Sequence, residues 1–295
     1  MVLYIFRLLS WTEPIAIGVI YTDSNGKSHR AFVRRPKGEV ILSAGALGSP
    51  QLLLLSGIGP QSYLSSQRIP VILSNPNVGK FMVDNPRNNI NLVLPYPVEP
   101  SSLQVVGITR HYYIESISIP LPSSPTPFPF SFYPIKSSVD LNIGTIGEKL
   151  AEPLSSGPLL LASPVDAKVA PHVRFNYFSN PADLSNCVSA MRNIGEMLDV
   201  DSMEQFKHND SKGDRNFMFF GASLPANKSD DSSMEAFCRS TVTTIWHYHG
   251  GCLVGKVVDG DYRVMGIDSL RVVDGSTFTT SPGTNPQATL MMIGR

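Results

Sequence analysis

Two histidines one residue apart, His247 and His249, are the part of this chain whose residue types and spacing most directly suggest chemistry. The glycine pair 250–251 follows at once, and a backbone without side chains can approach another group closely. If the segment is a strand, both imidazoles lie on one face, as a metal-binding pair requires. An imidazole can also serve as a general base, and two histidines that only fill the core are a third interpretation.

A metal site is the weakest of the three interpretations. A metal site needs a third ligand, and the other histidines show no supporting spacing. These histidines are His29, His111, His172 and His208. The three cysteines form no CxxC pair, which disfavours a zinc ribbon and a thioredoxin-type redox pair. We therefore expect no metal ion in this chain.

The segments after the histidines favour the general base. The pattern SLRVVDGSTF at 269–278 predicts a buried strand that ends at Asp274 and Gly275. A helix is predicted next, with Asn285 as N-cap and Pro286 as first helical residue. The N-terminus of a helix stabilises negative charge. A base, a bare backbone and such a helix end together suggest an electron-accepting ring, above which a carbon loses a proton and a hydride.

Three segments resemble the glucose-methanol-choline (GMC) flavoprotein oxidoreductases, and within that family the plant mandelonitrile lyase-like branch. They read EVILSAGALGSPQLLLLSGIGP at 39–60, WHYHGGCLVGKVVDGDYRVMGIDSLRVVDGSTF at 246–278 and NPQATLMMIGR at 285–295. The resemblance covers nearly the whole chain, and the combined order of the segments is highly specific. It implies an α+β fold, with an incomplete FAD-binding domain and a substrate domain that has a mixed or antiparallel sheet and helices on one side.

The resemblance also implies a domain division. Residues 1–84 correspond to part of the FAD-binding domain, residues 85–240 to the substrate-binding domain, and residues 241–295 return to the FAD-binding domain with the catalytic pair. The family's GxGxxG fold, which holds the dinucleotide phosphates at a helix N-terminus, does not occur in this sequence. We expect it to precede Met1, so that the FAD site is incomplete in this chain and the missing N-terminal half is a partner.

The family's motifs imply roles for individual residues. His247 corresponds to the general base toward the substrate hydroxyl, and Asn285 to the residue that orients that oxygen. The residues implied to contact FAD are Ala44, Gly45, Asp274, Gly275, Asn285, Pro286 and Gln287. The residues implied to line the substrate pocket are Glu115, Ile245 and Trp246. Of these, Glu115 and Ile245 stand where the lyase branch has a cysteine and a tyrosine.

The identity of residue 285 bears on which activity this family member has. The lyase branch has a second histidine there, whereas this chain has Asn285. Cyanohydrin cleavage requires one proton taken from the hydroxyl and another delivered to cyanide, but a His–Asn pair suits alcohol oxidation, in which hydride leaves to the flavin. We therefore predict oxidation of a small hydroxylated substrate, with mandelonitrile cleavage as the alternative. An inactive remnant without the GxGxxG half is an alternative of another class.

The resemblance assigns partners to two of the cysteines. Cys187 and Cys238, which are 51 positions apart, stand where the lyase branch has cysteines, so a disulfide is implied. Two buried free thiols are the alternative, and Cys252 is expected to be buried and free. Glycosylation triplets at Asn209 and Asn227 favour secretion. The resemblance likewise implies a secreted or vacuolar location for full-length members of the family.

The composition limits the other classes. The 295 residues are 42% hydrophobic and 16% charged, which is typical of a globular chain with a sizeable core. Because 24 basic residues balance 24 acidic ones and no basic stripe stands out, nucleic acid is not expected as a partner. The apolar run before Arg7 is too short for a membrane span and lacks the order of a signal peptide, so no membrane partner is expected.

Hydrophobic periodicity and turn residues predict the elements that position these residues. Strands are predicted at IAIGVIYT, AFVRR, EVILSA, NINLVLP, HYYIESISI, GPLLLAS and HVRFNYFS, with a hairpin turn at Ser24-Asn25-Gly26. Helices are predicted from Ser49-Pro50 to Gly57, near 145–154, through PADLSNCVSAMRNIGEML from Pro181, and at DSSMEAFCRS. The segment SSPTPFPFSFYP at 123–134 is predicted to be the least regular part.

Overall fold

The computed structural model describes residues 2–6, 14–34, 37–121, 141–283 and 285–295. The segment SSPTPFPFSFYP and Arg7 lie outside the described residues. Within the described part the chain combines helices with sheets, so the predicted α+β class is confirmed. None of the described helices combines the length and the apolar character needed to cross a bilayer.

The described elements have the following bounds. The strands are β1 (Val2–Phe6), β2 (Ile15–Thr22), β3 (Ser28–Phe32), β4 (Val40–Leu42), β5 (Ile58–Gly59), β6 (Leu73–Ser74), β7 (Arg87–Leu94), β8 (Ser101–Ile108), β9 (Tyr112–Leu121), β10 (Leu141–Leu150), β11 (Leu159–Leu160), β12 (His172–Val173), β13 (His208–Asn209), β14 (Arg215–Asn216), β15 (Met218–Phe219) and β16 (Leu270–Val272). The α-helices are α1 (Gly45–Leu55), α2 (Gln61–Ser66), α3 (Pro181–Leu198), α4 (Asp231–Thr241) and α5 (Gln287–Ile293). Short 3-10 helices span Asp201–Phe206 and Gly275–Thr277.

The chain folds as two compact units. Unit 1 consists of Met1–Asn85, Glu152–Ser179 and Trp246–Arg295, and unit 2 consists of Pro86–Ala151 and Asn180–Ile245. Residues 152–179 belong to unit 1, whereas the predicted division placed them with the substrate-binding region. The assignment of FAD binding and substrate binding to particular regions of the chain stays a prediction.

Unit 1 contains several small sheets around a core rich in leucine and valine. Strands β1, β2 and β3 form an antiparallel sheet, and the predicted hairpin turn joins β2 to β3. The Asp23 carboxylate accepts hydrogen bonds from the backbone N–H groups of Asn25 and Lys27, each at 2.9 Å, while Gly26 takes a φ of 80°. Strands β4 and β16 pair in parallel, so their carboxyl ends lie side by side.

Helix α1 begins earlier than the sequence predicted. We expected Ser49 and Pro50 to open it, but the helix starts at Gly45 and contains Pro50. The Asp274 carboxylate accepts the N–H of Gly45 at 3.0 Å, and the Ser49 hydroxyl accepts the N–H of Ala44 at 3.1 Å. Asp274, which is 229 positions from Gly45, thus satisfies one of the first N–H groups of α1. Capping rules that consider only neighbouring residues cannot predict this contact. The predicted end of the helix before a glycine is confirmed.

Unit 2 is centred on an antiparallel sheet with the strand order β15-β7-β10-β9-β8. Strands β7 and β9 confirm the predictions at NINLVLP and HYYIESISI. Helices α3 and α4 pack on one face of this sheet. Asn88 of β7 donates a hydrogen bond to the backbone oxygen of Cys238 at 2.7 Å, and Asn193 of α3 donates to the hydroxyl of Tyr112. The expected arrangement of helices on one side of the sheet is therefore present.

Helices α3 and α4 confirm the sequence predictions for these regions. Pro181 opens α3, and the side chain of Asn180 accepts the N–H of Ala182 at 3.0 Å as an N-cap. The predicted apolar stripe is buried at Leu184, Val188, Met191 and Ile194. A disulfide joins Cys187 of α3 to Cys238 of α4, as the resemblance implied. Cys252 is buried and free, which was also expected.

The helix predicted near 145–154 was wrong. Residues 141–150 form strand β10, which pairs with both β7 and β9 in the middle of the sheet. A Cβ at Gly147 would lie 2.1 Å from the side-chain oxygen of Asn89, so this glycine is required by its neighbour on β7. Pairing on both edges outweighs the local pattern that suggested a helix. The strands predicted at GPLLLAS and HVRFNYFS shorten to the two-residue pair β11 and β12.

Glu148 of β10 is fully buried on the face that packs against the helices. Desolvation raises the pKa of this carboxyl well above its ordinary value of 4.5. The folded state therefore keeps a proton that the unfolded state loses near pH 4.5, so the associated stability is present below that pH and is lost as the pH rises.

We expect Glu148→Gln, which cannot ionise, to flatten the decline of Tm with pH above 4.5. Thermal unfolding of the wild type and the variant between about pH 4 and pH 8 measures the effect. Parallel pH profiles for the two proteins would show that Glu148 ionises as readily in the folded chain as in the unfolded one. Glu196→Gln, on the exposed side of α3, is the matched control.

Candidate active site

Asp274 follows strand β16, and its carboxylate binds residues at the start of helix α1, which follows strand β4. This carboxylate accepts hydrogen bonds at Oδ2 from the Ser49 hydroxyl at 2.5 Å and from the Gly45 N–H at 3.0 Å. Its Oδ1 accepts the N–H of Ser276 at 2.8 Å. Asp274 thereby holds the start of α1 against the turn after β16. The predicted FAD-contacting residues Ala44, Gly45, Asp274 and Gly275 are brought together at this place.

The segment with the two histidines is not a strand. Within this segment only His249 forms a β-bridge. Its backbone N–H donates to the oxygen of Val83, and its backbone oxygen accepts the N–H of Val83, each at 2.9 Å. Trp246, directly before His247, has a φ of 60°, a left-handed conformation that is costly for a bulky side chain. The extended geometry that we predicted for a histidine pair on one face is therefore absent.

The glycine pair after the histidines is explained by close packing inside unit 1. A Cβ at Gly250 would lie 1.9 Å from the backbone oxygen of Phe81, and one at Gly251 would lie 2.7 Å from the Met82 sulfur. Both glycines have positive φ. The close backbone approach that the sequence predicted is confirmed, but the neighbour is the protein's own segment 81–82. The N–H of Gly250 also donates to the oxygen of Gly275 at 3.2 Å.

The backbone of His247 is anchored by Asp84. The buried carboxylate of Asp84 accepts the N–H of His247 at 3.0 Å through Oδ1 and the hydroxyl of Tyr177 at 2.5 Å through Oδ2. The adjacent Asn85 exchanges hydrogen bonds with the hydroxyl of Ser281, at 3.1 Å and 3.3 Å. Segment 83–85 therefore holds both the histidine segment and Ser281.

Residues 175–177 support the same segment from a second direction. The rings of Phe175 and Tyr248 stack with centroids 5.0 Å apart and an interplanar angle of 8°. Phe175 also stacks on Tyr177, whose hydroxyl bonds to Asp84. Tyr248 is thus fixed by an aromatic contact, while its neighbour His247 is fixed through the backbone. A rigid support of this kind is what a catalytic side chain requires.

The two histidines have different surroundings. His249 is buried, and its Nδ1 lies 3.1 Å from the backbone oxygen of His247, so Nδ1 carries the hydrogen and donates. Burial lowers the pKa of His249 and favours its neutral form. His247 is only half-buried. His249 therefore has a structural role, and His247 is the candidate base of the pair.

The last helix starts later than predicted. Helix α5 begins at Gln287, and Pro286 takes the N-cap position without a side-chain capping bond. The prediction placed the N-cap at Asn285, so the helix boundary differs from it by one residue, and Pro286 itself has helical dihedrals. A Cβ at Gly275 would lie 3.5 Å from Leu290 of this helix and 3.5 Å from the backbone oxygen of Tyr248. Helix α5 therefore lies against the turn after β16, and the same turn contacts the histidine segment.

The three residues predicted to line a substrate pocket do not belong to one unit. Glu115 and Ile245 lie in unit 2, whereas Trp246 lies in unit 1 and is largely exposed. Glu115 forms an ion pair with Lys149 at 2.8 Å. Their role in substrate binding stays a prediction. Among the described residues, no group of three or more His, Cys, Asp or Glu side chains could hold a metal ion.

Sequence reasoning missed the residues that hold the site together. Asp84 and Tyr177 anchor the His247 backbone, Ser49 completes the contacts of Asp274, and Asn85 binds Ser281. These partners are separated by 93 to 225 positions in the chain, so no local spacing connects them. The sequence offered one signal for these contacts. It was Asp84, the acidic residue that opens the DNPRNNI segment just before strand β7.

Asp274→Asn is expected to destabilise unit 1 by about 2 kcal/mol, because an amide NH₂ would face the donors of Gly45 or Ser49 and leave buried groups unsatisfied. Urea unfolding followed by fluorescence measures this loss. Asp261→Asn, at an exposed surface ion pair, is the control and should change stability by less than about 0.5 kcal/mol. Equal effects of the two substitutions would show that the Asp274 contacts contribute little.

Comparison with known proteins agrees with this architecture. Family models of GMC oxidoreductases match residues 4–87 and 153–294. The chain belongs to the GMC oxidoreductase family. It is 54% identical over 283 residues to (R)-mandelonitrile lyase 1 of Prunus serotina, a match that covers 95% of this chain and 49% of that protein.

Two further relatives broaden the comparison. The chain is 49% identical over 296 residues to the sinalpyl alcohol oxidase Nec3 of Nesocodon mauritianus, covering 99% of this chain and 52% of that protein. The fold is similar to that of a formate oxidase from Aspergillus oryzae, with a TM-score of 0.78, 21% identity, and coverage of 99% of this chain and 58% of that one. The chain spans about half the length of the curated relatives it matches. Membership of this family supports FAD as the cofactor.

Proposed function

We propose that this chain is the C-terminal part of a FAD-dependent enzyme that oxidises a hydroxyl-bearing carbon, with His247 as the general base and hydride transfer to the flavin. The observation that carries this proposal is the anchoring of two segments by residues 83–85. Asp84 fixes the backbone of His247, and the adjacent Asn85 binds Ser281, which precedes Asn285 in the chain. These contacts support the assignment of complementary roles toward one hydroxyl to His247 and Asn285.

The proton step is assigned to His247. A ring nitrogen of His247 takes the proton of the substrate hydroxyl, and the amide of Asn285 donates a hydrogen bond to the same oxygen. Asp84, which also binds the Tyr177 hydroxyl, holds the backbone from which the His247 imidazole extends. Burial lowers the pKa of His249, which favours its neutral form beside the imidazolium that forms at His247.

The residues present fit a flavin dinucleotide. A Cβ at Gly45 would meet no atom within 4 Å, so the backbone at the start of α1 borders open space. This place is at the carboxyl ends of the parallel strands β4 and β16, where nucleotides bind in open α/β sheets. Ala44 and Gly45 would contact the adenosine half, Asp274 and Gly275 the ribityl and pyrophosphate, and residues 285–287 the pyrimidine edge. When bound, FAD accepts the hydride that leaves the carbon.

The FAD site needs a second polypeptide segment with the GxGxxG fold. Apolar side chains of unit 1 are exposed at Ile41, Met291 and Met292, to 57%, 69% and 67%. Exposed apolar surface of this kind favours a covering partner. We therefore expect the purified 295-residue chain to be colourless and to turn yellow when it is joined to the GxGxxG half of a relative. A chain that is yellow by itself would contradict an incomplete site.

Cyanohydrin cleavage is the second candidate, because the chain is 54% identical to a mandelonitrile lyase. This reaction requires a proton donor for cyanide in addition to His247, and an amide such as that of Asn285 does not titrate in the relevant pH range. A dye-reduction assay with benzyl-type alcohols, run beside mandelonitrile cleavage on the joined protein, separates the two activities. Dye reduction is the expected result, and cleavage without dye reduction would favour the lyase.

A secreted or vacuolar location belongs to this proposal. Disulfides persist in oxidising compartments, and Cys187 and Cys238 form one. The two glycosylation triplets stand at exposed positions, with Asn209 at the end of β13 and Asn227 in the loop before α4. Both observations support synthesis through the secretory route.

A further inference from the structure

A small cavity opens on the surface of unit 2 where helix α3 ends. Its volume is about 190 Å³. Most of its walls are apolar, and they include Leu198, Phe217, Phe219, Leu224 and Pro225. Sites for drug-sized ligands enclose about 300 to 1,000 Å³, so this cavity suits a smaller group, of the size of one sugar ring.

Phe217 and Phe219 form an aromatic corner in this cavity. Their ring centroids are 6.4 Å apart, and the interplanar angle is 63°. On one face of the Phe217 ring, Nζ of Lys207 lies 5.2 Å from the centroid. Lys207 is not among the described residues that line the cavity, so the opposite face of Phe217 borders it. The face of an aromatic ring is a large apolar surface against which C–H groups can pack.

The rim of the cavity carries Asp199 and Lys228, whose charges compensate each other. Nζ of Lys228 lies 2.6 Å from Oδ2 of Asp199 and donates to the backbone oxygen of Gly195 at 3.2 Å. A charged ligand therefore gains little net attraction at this place. A neutral ligand with an apolar face and a polar edge fits better, because its C–H groups contact the walls and its hydroxyl or amide groups meet the rim. A pyranose ring has both features.

The glycosylation triplet at Asn227 stands at the edge of this cavity. Its neighbours Ala226 and Lys228 both line the cavity. Asn227 and Ser229 are exposed, as a modified asparagine requires. Oδ1 of Asn227 accepts the N–H of Ser229 at 3.1 Å, so Nδ2, the atom to which a sugar is attached, points away from this turn. A sugar on Nδ2 therefore begins within one residue of the cavity.

The loop that carries the triplet is fixed to helix α3. Nε of Arg192 donates to the backbone oxygen of Lys228 at 2.7 Å, and Nη2 donates to that of Ser229 at 3.4 Å. A Cβ at Gly195 would lie 2.5 Å from Cδ of Lys228, so this glycine lets the lysine side chain lie across the helix. The attachment point is thus held beside the cavity, which lowers the entropic cost of placing a tethered ring there.

We propose that Asn227 carries an N-linked glycan whose first N-acetylglucosamine packs into this cavity against Phe217 and becomes part of the structure of unit 2. The transfer forms a bond between Nδ2 and C1 of the sugar. It breaks the bond between C1 and the diphosphate of a lipid-linked oligosaccharide donor, and the lipid diphosphate and one amide proton leave. This inference rests on the secretory location in the proposed function and is independent of the reaction at His247.

The second triplet provides an internal comparison. Asn209 is exposed in strand β13, where it pairs with Arg215 of β14. The described residues that line the cavity include none from this hairpin. A glycan at Asn209 therefore extends into solvent, whereas the first sugar at Asn227 is held against the protein.

The first test measures how fast peptide:N-glycosidase removes each glycan from the native 295-residue chain, secreted behind a leader peptide by a host that adds high-mannose glycans. Mass spectrometry reports each site, because the cleavage converts Asn to Asp. We expect release at Asn227 to be about tenfold slower than at Asn209 in the native chain, and within about twofold of it after denaturation.

Phe217→Leu keeps an apolar side chain but removes the ring face, so it should bring the two native release rates to within about twofold of each other. Phe32→Leu, at an aromatic side chain that is 65% exposed on β3, is the matched control and should keep the difference.

A second test measures stability. Ser229→Ala removes the triplet but leaves Asn227 and the N–H that its side chain binds. We expect it to lower Tm by about 2 to 4 °C when both proteins are made in the glycosylating host, and to have no effect when both are made in a host that adds no glycans. Ser211→Ala, which removes the triplet at Asn209, is the matched control and should leave Tm unchanged in both hosts.

An unmodified Asn227 in the secreted chain overturns the proposal, and so do equal native release rates at the two sites. A Tm loss in Ser229→Ala that is the same in both hosts also overturns it, since the hydroxyl and not the sugar would then be responsible. A chain found in the cytosol of its own cells would refute the secretory location alone. A joined protein that fails to reduce dye would refute the oxidation and leave the sugar contact intact.

Discussion

Replacing His247 by glutamine is expected to lower kcat for alcohol oxidation by about 100-fold to 10,000-fold, which is the contribution of a positioned general base. Glutamine has a similar length and can donate or accept a hydrogen bond, but it cannot take the hydroxyl proton. The N–H of residue 247 still donates to Asp84 in this variant, so the support of the segment is preserved. Dye reduction by the chain joined to a GxGxxG half measures the effect.

A matched substitution separates catalysis from general damage. His172 is exposed in the short strand β12, and His172→Gln should leave kcat within about twofold of the wild type. The flavin absorbance of His247→Gln should equal that of the wild type, because the proposed cofactor contacts lie elsewhere. A variant that keeps full activity would remove His247 from the mechanism, and a colourless one would assign it to cofactor binding.

The base assignment also predicts the form of the pH profile. If the general base is removed, the limb of kcat/KM that reports its ionisation should disappear, whereas an effect on folding would lower the whole profile evenly. Burial lowers the pKa of His249 and favours its neutral form, and His249 remains in the variant. Loss of the limb in His247→Gln would therefore assign that ionisation to His247.

Local elements were predictable from the sequence where local interactions determine them. The hairpin after β2 depends on Asp23, Asn25 and Gly26 within four positions, and α3 depends on its N-cap and its apolar stripe. The family motifs likewise indicated the segments around residues 44 and 274, which the structure brings together. These features need no knowledge of distant contacts.

The predictions that failed involve contacts between distant segments. The start of α1 is determined by Asp274, and β10 is a strand because β7 and β9 pair with its two edges. The anchor of the candidate base, Asp84, lies 163 positions before His247. A single sequence contains no periodicity that connects such positions. The candidate residues were therefore easier to predict than the contacts that support them.

The disulfide between α3 and α4 is expected to contribute about 4 kcal/mol to the stability of unit 2, since the closed loop spans 51 positions. The double variant Cys187→Ala/Cys238→Ala should therefore unfold at a much lower urea concentration than the wild type. Part of the loss should come from weaker docking of α4 on the sheet, where Asn88 binds the backbone oxygen of Cys238 and the hydroxyl of Thr241.

Thiol counting tests the same bond chemically. Denatured, non-reduced wild type should show one thiol, that of Cys252, and three after reduction. In the folded chain Cys252 should not react, because burial raises its pKa and withholds the thiolate. Three thiols before reduction would contradict the disulfide. If the double variant unfolds at the same urea concentration as the wild type, the connection between α3 and α4 must depend on packing at Leu184, Met191 and Met234, which would then make the disulfide dispensable.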